Sequence, residues 1–288
     1  MLFRSRDGPR SLSNHEYFSS LGRAVIATLA EPTAEGYVFR VDMRLRPWGD
    51  PGPLAMSFDA LEEYFVTQGR EWERYAWIKA RALTGDAHAE LAAISRPFVF
   101  RKYLDYGAIA AMRDLHAQVR DEVARRDLAD HVKLGPGGIR EIEFIAQAYQ
   151  LIRGGRDADL RQKPTLTILA TLAQKGILDD AAAKALSCAY EFLRKVEHRL
   201  QYLDDAQTHS LPTDEADRRQ LALAMGFRGW KSFLKALDKH RQFVSAHFEQ
   251  VFATQESPRH SLAPLWSDSR EHLVELRKLG FRDPESIA

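Results

Sequence analysis

Val41-Asp42-Met43-Arg44-Leu45-Arg46-Pro47 continues the apolar-rich run Tyr37–Val41, and the combined segment predicts a β-strand. Successive side chains of a strand point to opposite faces, so Asp42, Arg44 and Arg46 would share one face. One carboxylate beside two guanidinium groups makes a poor core and a suitable site for a metal ion and a phosphate. A surface strand with an ion pair explains the same pattern equally well, and the sequence leaves both interpretations open.

Helices are predicted on both sides of this strand. Ser13 or Asn14 is positioned to cap a helix through about Leu29, and Ser57 to cap another that begins at Phe58. Apolar residues at three- and four-residue spacing predict the remaining helices. These helices are expected near 70–83, 87–103, 106–127, 138–153, 164–175, 180–204, 214–225, 230–254 and 268–279.

The predicted fold class is therefore α+β, mostly α. A lone strand leaves its backbone groups unpaired, so the strand at Asp42 needs a partner. The partner would be Met1–Arg6, another short segment, or a strand outside this sequence. We accordingly expect the polypeptide to be cut at both ends.

Composition narrows the class of protein. The 288 residues carry 41 Lys and Arg against 40 Asp and Glu, a net charge of +1, so no broad attraction to nucleic acid is expected. No apolar run approaches the ~20 residues that a membrane span requires. Cys188 is the only cysteine, which favours a reducing cytoplasm, and it is expected to be a buried small residue. The ten histidines show no metal-ligand spacing and are interpreted as surface or capping residues.

A second charged segment, Gln68–Arg81, is rich in arginine, glutamate and tryptophan. Lys79 and Arg81 are candidates for contact with a nucleotide. The alternative is a salt-bridged helix that carries Trp72 and Trp77 into the core, which explains most of the pattern.

A third segment, Lys133–Phe144, places three glycines ahead of a helix. The amides of a helix N-terminus can hold a phosphate, so Gly137, Gly138 and Arg140 are candidate cofactor-binding residues. Glu141 and Glu143 would repel an anion unless a metal intervenes, and a tight backbone contact is an equally good explanation.

Five segments in this order resemble the family of bifunctional glutamine synthetase adenylyltransferase/adenylyl-removing enzymes. They are Ser11–Phe18, Val41–Pro47 with Gly49 and Gly52–Leu54, Arg70–Ala76, Arg96–Tyr103 and Gly137–Phe144. The resemblance extends over nearly the whole chain. The family carries two copies of a nucleotidyltransferase fold. Arg70–Tyr75 and Gly137–Glu141 are similar to the first copy, which removes AMP.

This resemblance implies a truncated nucleotidyltransferase-fold portion, with one or two strands and flanking helices, followed by a helical bundle. The implied domains are residues 1–95, a bundle at 96–254, and a linker with the start of another domain at 255–288. The implied reaction is phosphorolysis, in which phosphate removes AMP from a tyrosine of adenylylated glutamine synthetase and releases ADP. The parent enzyme would also add AMP from ATP. Mg²⁺, the PII signal protein and a cytoplasmic location are implied as well.

By resemblance, Asp42 is the third metal-binding carboxylate, whereas the phosphate-binding roles of Arg44 and Arg46 come from the strand pattern. The family's Gly-Ser turn and Asp-x-Asp strand are missing from this sequence, so we expect the chain alone to have little or no activity. The alternative is a non-catalytic helical module that docks glutamine synthetase or PII. A nucleic-acid-directed transferase would need a basic face that the composition does not supply.

Overall fold

The computed structural model describes residues 12–36, 38–102, 117, 121, 123, 125, 128–203 and 208–253. The chain divides into two units, Met1–Phe248 and Glu249–Ala288, and the first contains the helical core. Within the described residues there are nine α-helices and a short 3-10 helix at Ala158–Arg161. In order, α1–α9 are Asn14–Ala30, Phe58–Thr67, Glu71–Trp77, His88–Val99, Ile139–Arg153, Thr165–Gln174, Asp180–Tyr202, Glu215–Ala224 and Trp230–Ala253. The mostly helical class is confirmed.

Local capping signals place the first two helices where the sequence predicts them. Ser13 caps α1 by accepting from Glu16 N at 3.2 Å, and Glu16 Oε2 accepts from Ser13 N at 2.8 Å. Ser57 caps α2 through Ala60 N at 3.2 Å. These bonds satisfy amides that a helix start leaves unpaired.

The segment from 70 to 83 forms a much shorter helix than predicted, because α3 ends at Trp77 and tighter turns follow it. The helices predicted at 106–127 and 268–279 lie outside the described residues, apart from isolated positions of the first.

The predicted strand at Asp42 is wrong in this structure. Residues 38–53 form turns and irregular backbone, and the described residues contain only two isolated bridges, Thr33–Gly36 and His131–Ser210. The physical reason is that strand backbone needs a neighbouring strand to pair its amides and carbonyls. The candidate partner Met1–Arg6 lies outside the described residues.

Helix α5 forms the centre of the core. It packs against α6, α7 and the 3-10 helix, and α7 also packs against α6 and α8. Ile139, Ile142, Phe144 and Ile145 on α5 are completely buried. A smaller group, α2 to α4, is joined by the stacked rings of Phe65 and Phe98, whose centroids are 4.2 Å apart.

The exposure of Cys188 differs from expectation. Cys188 on α7 is exposed rather than buried. Cys188 comes two residues after the completely buried Leu186, and two residues of an α-helix correspond to a rotation of roughly 200° around its axis. The thiol therefore lies on the side of α7 that faces away from Leu186.

Candidate functional site

Asp42 lies in an exposed loop, residues 38–54, which we call the Asp42 loop. Arg44 donates to both of its carboxylate oxygens, with Nη2–Oδ2 at 2.6 Å and Nε–Oδ1 at 3.0 Å, and Arg44 N donates to Oδ1 at 3.0 Å. The side-chain bonds from Arg44, followed by the backbone bond, lower the pKa of Asp42 to about 2. Asp42 is therefore an ionised carboxylate that is already paired with a cation.

Arg46 points back into the loop instead of joining Arg44. Its guanidinium donates to the carbonyls of Gly52 at 2.9 Å, Met43 at 2.8 Å and Asp50. Asp42 and Arg44 are thus together, whereas Arg46 holds the loop in shape. The geometric expectation that all three side chains converge on one hollow is not met.

A buried hydrogen-bond chain anchors the loop to α2 and α3. Tyr64 OH accepts from Trp48 N at 3.3 Å and donates to Glu73 Oε1 at 2.6 Å. The Trp48 and Tyr64 rings meet edge to face at 4.5 Å. Desolvation, reinforced by the bond to Glu73, raises the pKa of Tyr64 above its ordinary value. No sequence pattern indicated this anchor, because its members are distant along the chain.

The Asp42 loop does not by itself fit a magnesium site. A protein site for Mg²⁺ uses hard oxygen ligands from carboxylates, phosphates and water. Asp42 supplies such oxygens, but both are bonded to Arg44. No cluster of three or more His, Cys, Asp or Glu side chains suited to a metal occurs among the described residues.

Lys79 and Arg81 have different surroundings. The Lys79 ammonium donates to Lys163 O and to Thr165 Oγ1, the latter at 3.0 Å, which ties the end of α3 to the start of α6. Desolvation lowers the pKa of Lys79, and nearby Glu143 opposes that shift. Arg81 is exposed and lines a cleft beside α4. Lys79 is consequently a structural tie, and of these two residues Arg81 is the one placed to meet a ligand.

The glycine loop before α5 is packed against α9. Gly137 has a φ of +67°, and a Cβ there would lie 2.0 Å from the carbonyl oxygen of Arg241. Arg241 in turn donates to Pro136 O at 2.7 Å and Ala129 O at 2.6 Å. A Cβ at Gly138 would meet Val132 O at 2.7 Å. These contacts support the backbone-packing interpretation of the loop.

A side chain of the protein already occupies the backbone amide that a phosphate could use at this loop. Gly137 N donates to the buried carboxylate of Glu141 at 3.0 Å, in place of an external phosphate. Arg140 lies over the ring of Phe144, 5.8 Å from its centroid. The geometry therefore opposes phosphate binding by Gly137 and Gly138.

A polar cluster that the sequence did not indicate joins the loop before α5 to the C-terminal part of α7 and the segment before α8. His131 Nδ1 accepts from Lys133 N at 3.2 Å and Leu134 N at 3.1 Å. Its ring lies 5.1 Å from that of His209, whose Nδ1 is 3.1 Å from Glu197. Glu197 is 2% exposed and also pairs with Arg194 and Lys133. The sequence interpretation of the histidines as surface or capping residues fits His131, which accepts two backbone amides, but it did not indicate the cluster, whose contacts join segments far apart in sequence.

Two family models match the chain. One, described as glutamate-ammonia ligase adenylyltransferase, matches residues 3–95, and the other, described as GlnD PII-uridylyltransferase, matches residues 113–252. The first includes the Asp42 loop and the second includes the glycine loop. The described helices include none with the length and apolar character of a membrane span.

Curated relatives extend the match across nearly the whole chain. The chain is 58% identical to the bifunctional glutamine synthetase adenylyltransferase/adenylyl-removing enzyme of Chromobacterium violaceum over 98% of its length, which is 32% of that relative. The enzyme of the same name from Aromatoleum aromaticum is 58% identical over 92% of the chain, and that from Nitrosomonas europaea 56% over 98%. The resemblance inferred from the sequence is confirmed, and the chain spans about a third of these relatives' length.

Proposed function

We propose that this chain contributes to the phosphorolytic removal of AMP from adenylylated glutamine synthetase. The supporting observation is the 58% identity over nearly the whole chain to an enzyme whose name states the adenylyl-removing activity. The Asp42 loop lies within the part that matches the adenylyltransferase family model. This removal would consume phosphate and release ADP. The relatives' names also state the opposite activity, AMP addition, which would use ATP.

In this proposal Asp42 is one carboxylate of a Mg²⁺ site that further carboxylates complete. Its carboxylate oxygens are the hard donors that Mg²⁺ prefers, but both are bonded to Arg44, which would have to release them. Bound Mg²⁺ would neutralise charge on the phosphates. Arg44, once released, would be able to donate two parallel hydrogen bonds to two oxygens of a phosphate. Arg46 keeps the loop in position through its three carbonyl contacts.

The test is an assay of ADP release from adenylylated glutamine synthetase with phosphate and Mg²⁺. We expect little or no turnover by this chain alone, because its Asp42 oxygens are already paired and a transfer site needs more than one carboxylate. The enzyme of Chromobacterium violaceum is the positive control. Robust turnover by the chain would refute this expectation.

A variant of the full-length parent of this chain tests the role of Asp42 itself. Asp42→Asn in a full-length parent enzyme is expected to abolish AMP removal and leave AMP addition measurable. Equal loss of both activities in a folded protein would instead assign a structural role to this residue.

A docking function is the second candidate, favoured by a different observation. Helix α1 carries Tyr17, Phe18, Leu21 and Val25 with about half of each side chain exposed. Such an apolar face is typical of a surface that another polypeptide covers. We assign it to glutamine synthetase, which the relatives' names give as their substrate. Binding that is lost in Phe18→Ser and kept in Asp42→Asn would support docking, whereas binding only to PII or to neither protein would overturn it.

A further inference from the structure

A cleft with a volume of about 480 Å³ lies between the turns after α3, helix α4 and the segment before α6. Pockets that hold small molecules usually measure about 300–1,000 Å³. No described residue of the Asp42 loop lines it. The cleft is therefore separate from the loop to which the transfer reaction is assigned.

The cleft carries positive charge that its described lining residues do not neutralise. Arg81, Arg96, Arg161 and Lys163 line it, and no acidic residue occurs among those lining residues. The charged groups of Arg81, Arg96 and Lys163 make no ion pair with any described residue. Their surface exposure means that an incoming anion needs no rearrangement to reach them. A concave surface lined by charges of one sign concentrates the electric field and attracts a ligand of opposite sign.

The wall formed by Arg161 is fixed before any ligand arrives. Arg161 donates to Gly154 O at 2.6 Å and Gly155 O at 3.1 Å, and its guanidinium lies 5.9 Å from the centre of the Phe100 ring. A Cβ at Gly155 would lie 1.9 Å from Arg101 O, so the two glycines let the end of α4 pack against this turn.

Lys79 fixes the opposite wall. Its ammonium joins the turn after α3 to Lys163 O and Thr165 Oγ1 across 84 and 86 positions of sequence. Both walls are held by bonds that do not use Arg81, Arg96 or the Lys163 ammonium. A preformed site loses less conformational entropy when a ligand binds.

The lining also offers an aromatic surface beside the cations. Trp77 lines the cleft, and its ring also meets the Phe65 ring edge to face at 5.1 Å. Arginine forms paired hydrogen bonds with phosphate, lysine acts as a point charge, and an indole packs well against a planar base. We propose that this cleft binds a nucleoside phosphate, with Arg81, Arg96 and Lys163 on the phosphates and Trp77 against the base. This binding requires neither Asp42 nor Mg²⁺, so it does not depend on the proposed transfer reaction.

Titration calorimetry of the full chain in metal-free, low-salt buffer tests the proposal, with ADP, inorganic phosphate and adenosine as separate probes. We expect saturable binding of ADP, weaker binding of phosphate and no binding of adenosine. ADP is also expected to quench tryptophan fluorescence, and Trp77→Phe should remove that quenching. Phosphate binding as tight as ADP binding would overturn the assignment of Trp77 to a base. Absence of saturable binding for both anions would overturn the site.

Substitutions of the arginines that line the cleft test whether ADP binds there. Arg81→Ala and Arg96→Ala should each weaken ADP binding roughly tenfold or more, because each removes charge-assisted hydrogen bonds. Arg96→Lys should restore part of the loss. Arg228→Ala, at an exposed arginine outside the cleft, is the matched control and should change binding by less than about twofold.

Two outcomes of these substitutions would contradict the proposal. Equal weakening by Arg228→Ala would show a nonspecific charge effect, and loss of ADP binding in Asp42→Asn would move the ligand to the Asp42 loop. Circular dichroism verifies that each variant is folded. Because neither the Arg81 nor the Arg96 guanidinium bonds to a described residue, no loss of fold is expected.

Discussion

Gly137→Ala isolates the close approach between the glycine loop and α9. A methyl group at this position would meet the Arg241 carbonyl oxygen at 2.0 Å and the Arg241 carbonyl carbon at 2.5 Å. Both atoms belong to helix backbone, which cannot move aside as a flexible side chain could. The substitution must therefore push the loop away from α9 or distort the helix.

Two separate effects set the expected magnitude. A residue with a side chain in the left-handed region, such as one with the φ of +67° at Gly137, costs roughly 1–2 kcal/mol. Overpacking against fixed atoms adds about 1–3 kcal/mol. The expected loss in the free energy of unfolding is thus about 2–5 kcal/mol.

Gly176→Ala is the matched control for the conformational effect. Gly176 has a φ of +64°, and a Cβ there would meet no atom within 4 Å. This variant should lose only the roughly 1–2 kcal/mol of the backbone effect. The difference between the two variants is the contribution of the close approach.

The assay is urea unfolding followed by far-ultraviolet circular dichroism and by tryptophan fluorescence, with midpoints and slopes fitted for both variants. Gly137→Ala should be the less stable variant by at least about 1 kcal/mol. Equal losses for the two alanines would refute the packing interpretation and reopen the loop as a ligand site.

Two further perturbations test a buried arginine and a partly buried histidine. Arg74→Met should lower the free energy of unfolding by about 1–3 kcal/mol, since it removes the guanidinium bonds to Glu71 and to Val99 O while Glu71 keeps Arg101, and the exposed Arg228→Met serves as the control in the same urea assay. Burial, and then the neighbouring His209, lowers the pKa of His131, so the unfolded chain binds the proton more readily and stability should fall as pH drops below about 6.5. His131→Gln should flatten this decline in Tm as the pH is lowered from neutral, and an unchanged slope would contradict the assignment.

Helix positions follow from local signals that the sequence contains. The Ser13 and Ser57 caps and the apolar spacing of α7 act within a few residues, so helix starts and the buried face are predictable. The predicted length of α3 was too great, because apolar spacing continues past Trp77 although the backbone turns there. The family resemblance also rests on linear segments and was recognisable from the chain alone.

The Asp42 loop and the cleft depend on contacts between residues that are far apart in the sequence. The alternation at Asp42, Arg44 and Arg46 predicted a strand, yet a strand exists only when another supplies its hydrogen bonds, so the segment folds as a loop. The cleft joins Arg81, Arg96 and Lys163 from separate segments, and no local pattern encodes that proximity. Sequence by itself determined where most of the described helices lie and which family this chain resembles. Tertiary packing decided which charged side chains became structural ties, as Lys79 and Arg46 did, and which remained available to a ligand.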